Sequence, residues 1–347
     1  MSQQTPACSP NLTRPWKNWI DWAKTIGMLC IVWGHTFPVY LSPFIYAFNV
    51  PLFFFLSGYL TKEEFDTTIF YKKLWHNLIV PYLILGLSLN AIFIVSHKIS
   101  LISLYSVLLM LVGVHSMGEI IGCSSLWFVY TLILIKVAFF YASRLKYGIP
   151  CIGIIAIVCM FAYNLSGNNN MAWAFTNTFI ALPYFIAGFY TSKPAFHKVA
   201  SAWILRYQKT PLIVKSCIIL LLIGCTFIVS SNNDNAFLFK GQYGHCYPLF
   251  LMGSITGIGT ILMISHLLDG FCNRNCHLIS IGSIIILAYH LYVLVPALKV
   301  LNYYIDKPLI DNVVKFGLSI TILILFIPII MLTKRFFPIL LGSRAKK

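Results

Sequence analysis

An all-α polytopic membrane protein, with about ten transmembrane helices and both termini cytoplasmic, is the fold class that this sequence predicts. Three observations predict it. The 347-residue chain is 59% hydrophobic and 10% charged, with a mean hydropathy of +0.82. A soluble protein of that length needs far more polar surface. Apolar runs of about 20 residues, the length that crosses a bilayer as a helix, recur along the chain. Finally, the basic residues fall mostly in alternate connections between those runs, as the positive-inside rule requires.

Taken in order, a polar tail at 1–19 ends in Trp16 and Trp19, residues suited to the inner interface. The spans follow near 22–41, 44–60, 77–96, 124–142, 148–165, 173–190, 212–231, 247–267, 279–299 and 313–332. Together they form one transmembrane domain over 20–333, closed by a basic cytoplasmic tail at 334–347. The run at 101–114 is short and reads as an interfacial or re-entrant segment, or as an eleventh span. Residues 1–19 are polar and the first apolar run is long and carries charges, so no cleavable signal peptide is expected. Short connections among the fourth, fifth and sixth spans make those helices antiparallel neighbours. The connections at 61–76 and 191–211 read as inner loops, and that at 232–246 as a polar outer loop. Residues 97–123 are the largest outer piece and the expected cap or acceptor platform.

The net charge of +16 does not imply a nucleic-acid partner. With the N-terminus inside, Lys62, Lys72, Lys73, Arg144, Lys146, Lys193, Arg206 and the C-terminal tail all lie on the inner side. The outer connections hold only Lys98, Lys240, Lys299 and Lys307. The excess is therefore topological, with lipid headgroups as a secondary partner. The ten cysteines form no framework, because several lie in spans where thiols act as small apolar groups. Cys272, Cys276 and His277 resemble half a metal site, but no second half exists, so no metal is expected.

The chemistry concentrates in residues 20–60. The first span carries Asp21, Lys24 and His35, groups that lipid penalises and that mark function by default. Residues eleven apart nearly align on a helix, so Lys24 and His35 share a face, roughly 16 Å apart along the axis. Asp21 is too far from His35 to orient its imidazole, and Lys24 is its expected partner. Each residue also has a plain structural reading. His35 and His290 could be buried imidazoles bonded to carbonyls. Lys24 could snorkel to the interface, Trp127 could belong to the interfacial belt, and Lys136 could either snorkel or line a cavity.

Several stretches match one family in order. They are IDWAKTIGMLCIVWGH ending at His35, PLFFFLSGYL at 51–60, Leu78 with Pro81-Tyr82, LWFVYTLIL at 126–134, LPYFIAGFY at 182–190 and the segment 282–290 ending in His290. The chain resembles the acyltransferase-3 family of multipass membrane acyltransferases, especially fucose 4-O-acetylase-like and surface-polysaccharide O-acetyltransferase members. Many close members read Phe-His-Met-Pro where this chain reads Phe48-Asn49-Val50-Pro51, and Asn77 stands where an arginine is common.

The resemblance implies ten helices, acyl-CoA (commonly acetyl-CoA) as donor, a sugar or glycan hydroxyl as acceptor, and an essential histidine at position 35. The site expected on that basis takes His35 as general base, with Glu119 and His290 as catalytic companions. Lys24, Lys72, Lys73 and His76 would grip the CoA, and Asn49 and Trp127 would meet the acceptor. The expected location is a bacterial inner membrane. Direct transfer is the expected route, with an acyl-enzyme left open. A transporter or flippase for a glycan precursor is the rival reading, and a degenerate member that only binds acyl-CoA is a third.

Overall fold

A computed structural model describes residues 18–97, 101–113, 124–165, 175–271, 273–304 and 308–346. Every long element among them is a helix. In order they are α1 Asn18–Gly34, α2 Ser42–Tyr59, α3 Thr67–Leu74, α4 Val80–His97, α5 Leu101–Leu111, α6 Trp127–Ala142 and α7 Gly148–Leu165. Then come α8 Phe175–Thr191, α9 Pro194–Lys209, α10 Leu212–Ser231, α11 Tyr247–Leu267, α12 Arg274–Ile281, α13 Ser283–Tyr304 and α14 Pro308–Phe336. Helices occupy each of the ten expected span positions.

Six helical stretches are long and apolar enough to cross a membrane: 67–95, 148–165, 212–231, 247–267, 283–301 and 310–336. The protein is therefore a polytopic helical membrane protein. α1, α2 and α8 are shorter or more polar because they lie at the centre of the bundle and contact protein rather than lipid. α2 buries most of its length, including Phe53, Phe54 and Phe55. By contrast, only 6% of the apolar window of α10 is buried, which makes it a peripheral helix facing lipid.

Close backbone approach holds the centre together. A Cβ on Gly58 would overlap the carbonyl of Phe185, and one on Gly188 would overlap the carbonyl of Phe55. α2 and α8 thus touch backbone to backbone at two reciprocal points, as small-residue packing in membranes allows. On the other side of α2, Gly257 leaves room for Phe48, with 2.5 Å from an ideal Cβ to that side chain. Pro51 lacks the N–H that would bond Ala47 O in an α-helix. Ser254 Oγ of α11 reaches that carbonyl at 2.7 Å, sharing its one hydrogen with Phe250 O of its own helix, also at 2.7 Å.

Several boundaries differ from the sequence expectation, each for a local reason. α1 stops at Gly34 rather than near 41, because Pro38 cannot continue the ladder and Phe37 and Tyr40 turn the chain with φ of 50° and 63°. The expected inner loop at 61–76 contains α3, whose first turn is capped by Asp66 accepting from Ile69 N at 2.9 Å. α3 runs into α4 through a π-turn at Trp75–Ile79. The widened turn precedes Pro81 and absorbs its missing donor. The expected loop at 191–211 holds the helix α9, begun by Pro194 and followed by Pro211. The ninth span begins earlier and breaks at Gly282, where a Cβ would strike Ile330. α5, at ~1.5 Å per residue, is too short to span a ~30 Å core; it packs on α4 with Ser106 Oγ donating to Asn90 Oδ1 at 2.5 Å.

Asp21 has a tertiary partner that the sequence did not suggest. Its carboxylate meets His277 Nδ1 of α12 at 3.0 Å, rather than turning with Lys24 towards the cavity. Three residues advance a helix by about 300°, so Asp21 and Lys24 stand about 60° apart as near neighbours, the one meeting α12 and the other the cavity. Thr25 Oγ1 to Cys276 O at 3.1 Å and Trp19 N to Asp269 Oδ1 at 2.8 Å complete that seam. The inner end of α1 is thereby locked against the α11–α12 connection.

Candidate active site

A cavity of about 510 Å³ runs beside α1, within the range of small-molecule sites. α1 and the turn that continues it contribute Lys24, Met28, Ile31 and His35 to its wall, one unbroken stripe at helical spacing. Lys24 and His35 therefore mark two levels of the cavity, roughly 16 Å apart by helical rise. Lys62, Glu64, Lys73 and Lys136 join at the Lys24 level, and Tyr46, Asn49, Phe237 and His290 at the His35 level.

His35 follows the last residue of α1, where helix carbonyls lack further helical donors. Six donors, two to each of three carbonyls, fill that gap. Ile31 O receives His35 N at 3.2 Å and His35 Nδ1 at 2.7 Å. Trp33 O receives Thr36 N at 3.0 Å and Thr36 Oγ1 at 2.7 Å. Gly34 O receives Phe37 N at 2.9 Å and Tyr46 OH at 3.1 Å. Because a carbonyl can only accept, His35 carries its proton on Nδ1, and the neutral ring offers Nε2 as a base.

His290 is fully buried, and its ring centroid is 4.9 Å from that of His35 at 71°. Its Nδ1 likewise donates to its own helix, to Ile286 O at 2.9 Å and Leu287 O at 3.0 Å. Asn49 is buried beside them, with Oδ1 accepting from Val50 N at 2.8 Å. Trp127 opens α6 and lines the same cavity, half-buried.

At the other level, Lys73 pairs with Glu64, and Lys136 Nζ donates to Thr61 Oγ1 at 3.0 Å. Lys136 also lies 5.6 Å from the centre of the Phe185 ring. The alternatives for Lys136 thus resolve to a cavity-lining cation. Leu340, Leu341 and Gly342 of the C-terminal segment close this side, with Gly342 at φ 70° against Asn77. Lys72 and His76 are exposed and lie outside the cavity wall.

Of the expected site residues, the cavity brings together His35, His290, Asn49, Trp127, Lys24 and Lys73. Glu119 lies outside the described residues, as does all of 114–123. Sequence reasoning gave no role to the 232–246 connection, yet Ala236, Phe237, Leu238 and Phe239 line the cavity. Asn233 holds that connection in shape, donating to Tyr243 O at 2.7 Å and accepting from Cys246 N at 2.8 Å. The available signal was AFLF, an apolar island inside a polar loop.

A sequence model of the acyltransferase-3 family, described as an acyltransferase domain, matches residues 17–333. The chain belongs to the acyltransferase-3 family. That match spans every cavity-lining residue except the C-terminal wall at 340–342. No curated protein and no solved structure matches the chain. Membership makes the protein a membrane acyltransferase, and the cavity beside α1 is where its polar groups converge.

Proposed function

We propose that this acyltransferase moves an acyl group, most simply acetyl, from acyl-CoA to a sugar hydroxyl of a cell-surface polysaccharide or its precursor. It would work in a bacterial inner membrane, crossing it about ten times with both termini cytoplasmic. The observation that carries this reading is the anchored imidazole. His35 Nδ1 is committed to Ile31 O at 2.7 Å, so its Nε2 is the basic atom in a cavity whose other level is lined by lysines.

In this reading the phosphates of CoA rest at the Lys24, Lys62, Lys73 and Lys136 level, and the pantetheine arm carries the thioester up to His35. Lys72 and His76, exposed outside the cavity, would add only long-range attraction. The acceptor hydroxyl attacks the thioester carbonyl while His35 Nε2 takes its proton. The tetrahedral intermediate collapses, the C–S bond breaks, and the thiolate leaves. The imidazolium returns the proton to the thiolate, giving ester and free CoA.

The test is transfer of isotope-labelled acetyl from acetyl-CoA by protein reconstituted in liposomes with a glycan acceptor. An ester-linked label on the acceptor and stoichiometric free CoA are expected. Movement of the glycan across the bilayer with no thioester consumed would overturn the reading in favour of a transporter.

A further inference from the structure

Two neutral imidazoles on one cavity wall can pair with each other, the N–H of one donating to the lone pair of the other. His35 and His290 lack that option. Each has its Nδ1 hydrogen committed to a carbonyl of its own helix, at 2.7 Å for His35 and at 2.9 and 3.0 Å for His290. Each neutral ring therefore presents Nε2 as an acceptor, and two acceptors cannot satisfy one another. His290 is fully buried, and among the described residues its Nε2 meets no donor. A buried acceptor left unmade is costly, so a group at this position points to a ligand that brings a donor.

Before transfer, while both rings are neutral, a lone acceptor hydroxyl brings one proton, which bonds His35 Nε2 and leaves His290 Nε2 unpaired. Two hydroxyls on adjacent carbons bring one proton for each ring, and the ring centroids, 4.9 Å apart, are close enough to receive neighbouring oxygens. We infer that the acceptor is a vicinal diol, held by both histidines at once. One hydroxyl loses its proton to His35 Nε2 and becomes the ester oxygen. Its neighbour donates to His290 Nε2 and stays free. His290 is in this account a substrate-binding residue that decides which hydroxyl reacts. The product is the monoester of a diol.

This inference rests on the reading of His35 as base, so the experiment keeps His35 intact throughout. Methyl hexopyranosides and their single-deoxy analogues are scored with labelled acetyl-CoA in two ways: as acceptors, and as competitors of labelled transfer to membrane glycan. The wild type is compared with His290→Leu, which removes the acceptor, and with His290→Gln, whose amide oxygen keeps one at similar reach.

For the wild type, removing the hydroxyl beside the acylated one is expected to weaken kcat/KM or competition about tenfold, as loss of one buried hydrogen bond does. His290→Leu should show that loss with the intact diol and no further loss with the deoxy compound. His290→Gln should restore part of the preference. An unchanged diol preference in His290→Leu overturns the inference. So does equal use of diol and deoxy compounds by the wild type, or no effect of any glycoside in either assay. Failure of the base reading would show separately, as full transfer by a protein lacking His35.

Discussion

Ser254 of α11 hydrogen-bonds the carbonyl of Ala47, the one that Pro51 of α2 deprives of its α-helical donor. Lipid offers no replacement donor, so the neighbouring helix must supply one. Ser254→Ala keeps the volume and removes the bond. It is expected to cost about 1 kcal/mol, within the range for interhelical hydrogen bonds in membranes. The check is a lower unfolding temperature in detergent with acyl-CoA affinity unchanged.

The reciprocal contact of Gly58 and Gly188 with carbonyls of the opposite helix makes a harsher prediction. Gly188→Ala inserts a methyl where Phe55 O lies, and backbone cannot yield as a side-chain tip can. Overpacking of this kind costs about 1–3 kcal/mol or more. The expected outcome is a sharp fall in folded, monodisperse protein after solubilisation. Gly224→Ala serves as a control, since nothing lies within 4 Å of its added Cβ.

Much of this fold was legible in hydropathy alone, because a bilayer forces each crossing to be a run of apolar residues of nearly fixed length. Interruptions by proline were harder to place. Pro38 ended a helix early, whereas Pro81 was absorbed by a π-turn inside a continuous one. Which outcome occurs depends on the surrounding packing, which a single sequence does not display. The amphipathic helix α9 was hidden by its basic residues, which made a helical period look like a loop.

In the site, the stripe of Lys24, Met28, Ile31 and His35 follows from helical spacing, and so the two-level arrangement was readable. The resemblance already made His290 a companion of His35; the direct contact of the two rings was not readable, because they are 255 positions apart and nothing local joins them. The contact of Asp21 with His277 was not readable either, because the tertiary fold brings that residue in from 256 positions away.

Lys136 gives a prediction specific to the donor side. Its Nζ bonds Thr61 Oγ1 and lines the cavity at the lysine level. Lys136→Met keeps the stem and removes the charge. A charge-assisted hydrogen bond to a CoA phosphate is worth enough to raise the KM for acyl-CoA about tenfold. Steady-state kinetics at varied acetyl-CoA should show that rise with kcat at saturation little changed. A fall in kcat at constant KM would instead locate Lys136 at the reacting atoms.

The central claim is that His35 Nε2 removes the acceptor proton, and His35→Ala tests it most directly. The variant and wild type are reconstituted at equal protein content, acyl-CoA binding is shown to be retained, and labelled acetyl transfer to glycan is measured. Loss of general-base catalysis predicts a fall in kcat of about 10²–10⁴. Transfer by His35→Ala at the wild-type rate, with acyl-CoA bound normally, would contradict the account.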